Sequence, residues 1–130
     1  DKFAYSNITL LTTSKKSGRG IVEELEERNL KVTHTFSRDA EVEDAQKMHF
    51  ILSTDEIKAT TARSFKGFEA PLIVYLLEKR SVPKEVYTAL TRLRMGYGNT
   101  CHIKVVCTNP KFRNYGNSWS AQGDQKWLKI

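Results

Sequence analysis

Cysteine is nearly missing from this chain: Cys101 and Cys107 are its two thiols, and they lack the C-x-x-C spacing of a zinc or redox site. Both lie in or beside the apolar run HIKVVC, so buried free thiols in a reducing cytosol are expected in preference to a disulfide. No metal site is expected within the chain. Long apolar runs are also missing, as is a leader with a charged start and an apolar middle, which removes a membrane from the expected partners. There is no internal repeat and no low-complexity tract. Nor is there a G-x-x-x-x-G-K-[ST] loop or an acidic Mg²⁺-binding motif, two parts that a self-sufficient nucleotide hydrolase of the P-loop kind needs.

What is present describes one domain. The 130 residues, 39% of them hydrophobic, suffice for one core, and residues 1–130 read as a single unit. Lys and Arg number 21 against 15 Asp and Glu, and the resulting net charge of +6 favours acidic partners such as nucleic acid or nucleotides. The first residue is Asp1 rather than Met, so a piece of a longer protein is expected.

Along the chain, NITLLT (Asn7 to Thr12) reads as a short strand, and the polar turn SKKSGRG leads into a helix with Ile21, Val22, Leu25 and Arg28 at helical spacing. KVTHTF alternates, with Val32, His34 and Phe36 on one face of a second strand, and His34 is read as a packing residue. Asp39 to Met48 is an acidic helix capped by Ser37 or Asp39. EIKATTA is a third strand. Leu72 to Leu77 is an apolar run with β-branched and aromatic members, expected to be buried on both faces. Pro83 starts a helix, PKEVYTALTRLR, where its missing N–H costs nothing; Val86, Ala89, Leu90 and Leu93 form its apolar face, and Gly96 and Gly98 end it. HIKVVC is the last strand. From Thr108 to Ile130 the tail mixes Phe112, Tyr115, Trp119 and Trp127 with basic and small polar residues, suited to covering a sheet edge. Alternating strands and helices predict an α/β fold, a mostly parallel sheet with helices on both faces, in which ligands gather at the carboxyl ends of strands.

Three segments, taken together, resemble the second RecA-like domain of superfamily 1 helicases of the UvrD/Rep type. TARSFKGFEAPLIV, from Thr61, resembles that family's motif V, T-x-H-S-x-K-G-L-E-F followed by an apolar strand. VYTALTRLR, Val86 to Arg94, resembles motif VI, Y-V-A-L-T-R-A-R. ITLLTTSKKSGRGIVEEL is a weaker match to motif IVa, a strand, a polar turn and an arginine leading into a helix. The resemblance covers roughly Asn7 to Cys107.

The resemblance implies half of an ATP-driven DNA or RNA helicase or translocase. ATP and Mg²⁺ would sit between this domain and an N-terminal RecA-like domain of the same protein, which would supply the P-loop, the Mg²⁺-binding carboxylates and the base. Arg92 matches the arginine finger: a guanidinium is permanently charged and forks onto two oxygens, which lysine cannot do. Glu69 matches the glutamate that accepts a hydrogen bond from the ribose, with Lys66 and Gly67 just before it, where a small residue lets backbone approach a ligand. Thr61 and Arg63 match the residues that meet the backbone of single-stranded nucleic acid, and Ser14 and Lys15 fall in the motif IVa turn beside them. One loop would then touch two ligands, as coupling of ATP state to strand grip requires. The isolated chain is not expected to hydrolyse ATP.

The departures are specific. Arg63 stands where histidine is usual and Ala70 where an aromatic is common; in motif IVa Thr13 replaces arginine and Lys15 replaces asparagine, while Arg19 and Leu25 match. Between motifs IVa and V many relatives carry a large inserted domain, and this chain has a few dozen residues there, as in compact members. The alternative expectation is a degenerate, non-enzymatic RecA-like module that binds nucleic acid or a protein partner through its basic face.

Overall fold

The structure, a computed structural model, describes residues 4–52, 55–79, 81–93 and 101–112. A single 3₁₀ turn, Tyr5–Asn7, precedes β1 (Ile8–Thr12), α1 (Lys15–Glu27), β2 (Val32–His34), α2 (Ala40–Leu52), β3 (Ile57–Thr61), β4 (Leu72–Leu77), α3 (Pro83–Leu90) and β5 (His102–Cys107). The strands form one five-stranded sheet in the order β2-β3-β1-β4-β5, and every pairing is parallel. β1 is therefore central, flanked by β3 in register Thr12↔Thr61 and by β4 in register Ile8↔Leu72.

Local chemistry sets the helix boundaries. Ser14 is the N-cap of α1, its hydroxyl accepting from the Ser17 amide at 3.2 Å. Asp39 does the same for α2, accepting from the amides of Glu41 (3.0 Å) and Val42 (3.1 Å), and Ser37 in turn accepts from the Asp39 amide. Pro83 occupies the first turn of α3, where no intrahelical donor is lost.

Two apolar clusters lie on opposite faces of the sheet, because successive strand residues point to opposite sides. Leu10, Val22, Phe36 and Ala59, with Ile21, Leu25 and Val32 packed against them, join α1 to one face. Leu11, Phe50, Phe65, Ile73, Tyr75, Leu77, Val86 and Ala89 are among the larger cluster that joins α2 and α3 to the other. Gly18 is required by this packing: a methyl added there would stand 2.4 Å from Cζ of the fully buried Phe36.

Several expectations are corrected. β4 is not equally buried on its two faces: Ile73, Tyr75 and Leu77 are buried, whereas Leu72, Val74 and Leu76 are half-buried, and of these Val74 packs against the α1-side cluster. α2 runs past Met48 to Leu52. α3 stops at Leu90, so Arg92 lies beyond the helix; Leu93 keeps helical spacing in the sequence but forms a parallel bridge with Ala70. Cys107 is buried as expected, but Cys101 is exposed because it precedes β5 instead of lying in it. Gly96, Gly98, Arg94 and the tail residues Tyr115, Trp119 and Trp127 lie outside the described residues.

Candidate functional site

All five strands point the same way, so their carboxyl ends form one edge of the sheet and their amino ends the other. The segment 62–71 leaves β3 at the carboxyl edge, passes over β1 and begins β4 at the amino edge. It consists of turns with no helix, and Ala62, Phe65 and Ala70 anchor it in the larger core cluster. Gly67 adopts φ +91°, a left-handed conformation that a residue with a Cβ enters only under strain.

The carboxyl edge gathers hydroxyls and charges. Thr61 ends β3, and its hydroxyl accepts from the Ser64 amide at 3.2 Å and donates to the Ser64 hydroxyl at 3.0 Å. Next to it, after β1, Ser14 caps α1 and donates to the Ser17 hydroxyl at 3.0 Å. Lys15 donates to Glu43 at 2.5 Å and to the Ser37 carbonyl at 3.2 Å. Hydrogen bonds from Lys15 and from Lys47 hold the Glu43 carboxyl below its usual range. Arg63 is open to solvent, its side chain 86% exposed, with Glu85 at 3.4 Å. Thr61, Arg63, Ser14 and Lys15 thus share this edge, but the charge of Lys15 is already met by a carboxylate from α2.

Glu69 and Arg92 meet at the opposite edge. The Ala70 amide donates to the Arg92 carbonyl at 3.1 Å, next to the Ala70–Leu93 bridge, so the ends of the two motifs are tied together just ahead of β4. Glu69 is exposed and Arg92 half-buried. The Nε of Arg92 is a buried donor with no partner among the described residues, and such a donor normally has one. Lys66 does not join this pair: it lines a recess with Arg63 at the other end of the segment.

Two features were not read from the sequence. At the carboxyl edge, Thr13 and Ser81 hydroxyls lie 2.6 Å apart, the Glu78 carboxylate accepts from Ser17 at 2.9 Å, and the Glu78 amide donates to Ser81 at 2.9 Å. Burial pushes the Tyr75 phenol up, with the nearby Ser81 and Thr13 hydroxyls opposing it. The signal for this cluster was Glu78 directly after the most apolar strand and Ser81 three residues further on. The second feature is the recess holding Arg63 and Lys66, which Lys84 and Glu85 of α3 complete. His34, read as packing, stacks on Phe36 with ring centroids 5.6 Å apart.

Among the described residues no group of His, Cys, Asp and Glu could hold a metal ion, and no helix is long and apolar enough to cross a membrane.

No protein-family model matches the chain, and no curated protein sequence matches it. Solved structures do share its fold. The C-terminal domain of the DEAD-box protein Dbp5 superposes with a TM-score of 0.63 at 13% identity, over 96% of this chain and 74% of that one. The C-terminal part of the Fun30 ATPase domain superposes with a TM-score of 0.53 at 12% identity, over 79% of this chain and 36% of that one. The fold is therefore the α/β, RecA-like fold of C-terminal domains in such ATPases, with an all-parallel sheet.

Proposed function

We propose that the chain is the second RecA-like domain of an ATP-dependent DNA or RNA helicase or translocase of the UvrD/Rep type. The observation that carries the reading is the hydrogen bond from Ala70 to Arg92, which brings Glu69 and a half-buried arginine, its Nε without a partner among the described residues, to one edge of the sheet. Such a donor fits a phosphate oxygen arriving from outside the domain. ATP bound there, with Mg²⁺ held by an N-terminal RecA-like domain, would supply the phosphoanhydride to be cleaved. Arg92 would stabilise charge on the γ-phosphate oxygens, Glu69 would accept from the ribose, and Gly67 would shape the turn ahead of it, whereas Lys66, which lines the recess with Arg63, would lie away from the nucleotide. Thr61, Arg63, Ser14 and Lys15 would form part of a groove for single-stranded nucleic acid at the carboxyl edge. The segment 62–71 runs between the two edges and so could link nucleotide state to strand grip.

The steady-state kinetics of the parent polypeptide test this division of labour. Glu69→Ala should raise KM for ATP with little change in kcat, because a ribose contact is made equally in ground and transition states. Arg92→Ala should do the reverse. Identical effects of the two substitutions would contradict the assignment.

A second reading, a RecA-like module without ATP chemistry that binds a protein, is favoured by the exposed apolar side chains Met48, Ile51 and Leu52 on α2. It requires both substitutions to leave ATP turnover unchanged.

A further inference from the structure

Between the segment that follows β3 and the first turn of α3 lies a recess of about 360 Å³. Arg63 and Lys66 line it from one side, Lys84 and Glu85 from the other, with Ala62, Val82 and Thr88 completing the wall. Three cations therefore face a single carboxylate in one concavity. The carboxylate touches Arg63 at 3.4 Å, an ion pair too exposed on the arginine side to hold firmly. Val82, the N-cap residue of α3, makes no side-chain capping bond, so Glu85 is the acidic side chain in the first turn that answers the positive end of that helix dipole. The Thr88 hydroxyl is committed to the Lys84 carbonyl at 2.9 Å, which leaves the three cations as the principal donors. Val82, 47% exposed, gives the wall an apolar patch.

We infer that this recess binds a phosphate group carried on a sugar, with Lys84 as a contact and Glu85 as an internal anion that the phosphate displaces from Arg63. Cations suit the phosphate, and the apolar Val82 suits the sugar. The source to which the geometry points is a single-stranded nucleic-acid backbone: Ala62 and Arg63 directly follow Thr61 at the carboxyl edge, so a strand laid along that edge continues into the recess. The inference rests on the nucleic-acid part of the proposed function and adds Lys84, Glu85 and Lys66 to it. A recess that carries its own competing anion binds weakly and releases readily, as a site that must let go of a strand has to.

Titration of a labelled oligothymidylate into the 130-residue chain at several salt concentrations tests the recess. Lys84→Ala should weaken binding at low salt about threefold to tenfold and flatten the slope of log K against log salt by roughly 0.7, the share of one phosphate contact on a single strand. Glu85→Gln should tighten binding about twofold to threefold, since the competitor for Arg63 is gone. Lys31→Ala, at the amino end of β2, should change neither. If the oligonucleotide binds and Arg63→Ala weakens it while Lys84→Ala does not, the recess is overturned and the carboxyl edge stands. Absence of oligonucleotide binding to the unsubstituted chain would overturn the nucleic-acid reading itself. In that case, amide NMR shifts at Arg63, Lys66 and Lys84 on adding AMP, lost in Lys84→Ala, would support the phosphate recess with a free nucleotide as its source. No shifts would overturn it.

Discussion

The Ala70 amide and the Arg92 carbonyl, 3.1 Å apart, form the hydrogen bond that ties the end of the 62–71 segment to the turn after α3. Ala70 is 4% exposed, and losing its donor removes this hydrogen bond from a half-buried Arg92. Ala70→Pro should therefore destabilise the chain by about 1–3 kcal/mol in urea unfolding. Ala70→Gly keeps the donor and should cost only about 0.5–1 kcal/mol. Equal costs for the two would show that the bond contributes nothing.

Two glycines of α1 predict opposite outcomes for the same substitution. At Gly18 the added methyl collides with the buried Phe36 ring, whereas at Gly20 nothing lies within 4 Å. Gly18→Ala should destabilise by a net of about 1–2 kcal/mol, overpacking exceeding the gain in helix propensity. Gly20→Ala should stabilise by about 0.5–1 kcal/mol. Thermal melts of both variants decide it, and the same sign at both positions would contradict the packing described.

His34 makes stability fall on mild acidification. Burial holds its imidazole below the usual 6.5, against a smaller opposing pull from Glu26. Its Nδ1 also accepts from the Phe36 amide at 3.2 Å, which requires that nitrogen to be unprotonated. The unfolded chain then binds the proton first, so this stability is complete above about pH 6.5 and declines as pH falls from there toward the folded value. Denaturant midpoints measured from about pH 7.5 to 5.5 should drop, and His34→Gln should flatten that drop. Glu43 is held low by Lys15 and Lys47, so its own contribution is lost only at still lower pH. An unchanged pH profile in His34→Gln would place the proton uptake elsewhere.

Glu43 neutralises Lys15 and Lys47 together, at 2.5 Å and 3.0 Å. If Lys15 serves the nucleic-acid edge, Glu43→Gln frees it, and the salt dependence of oligonucleotide binding should steepen by roughly 0.7 for that added contact. A slope that does not move would remove Lys15 from the edge.

How much of this was legible in the sequence depended on how local the cause was. β4 was readable to the residue because LIVYLL is a continuous apolar run, and β5 because Ile103, Val105 and Val106 give HIKVVC a β-branched character despite Lys104. The cap Asp39 was readable, as one of two candidates with Ser37, because a cap acts on amides within three residues. The end of α3 was not: Leu93 continues the helical spacing, and only the bridge to Ala70, on a segment far back in the chain, takes it out of the helix. Distance in sequence also hid the ion pairs that change the candidate site. Glu43 reaches Lys15 from α2, and Glu85 reaches Arg63 from α3, so neither cation appeared engaged when its own neighbours were read alone. Lys66 adjoins Gly67 and Glu69 in sequence, yet the turn it occupies directs it to the recess with Arg63.

The most direct test of the account is the ATP turnover of the parent polypeptide carrying Arg92→Ala or Arg92→Lys, measured with nucleotide affinity in the same samples. Both substitutions should lower kcat by about 10³ or more with ATP affinity little changed, since a finger arginine acts mainly on the transition state and lysine lacks its fork. A kcat within about twofold of the unsubstituted protein in Arg92→Ala, with affinity likewise unchanged, would contradict the assignment of Arg92 and with it the reading of this domain as half of an ATP-driven motor.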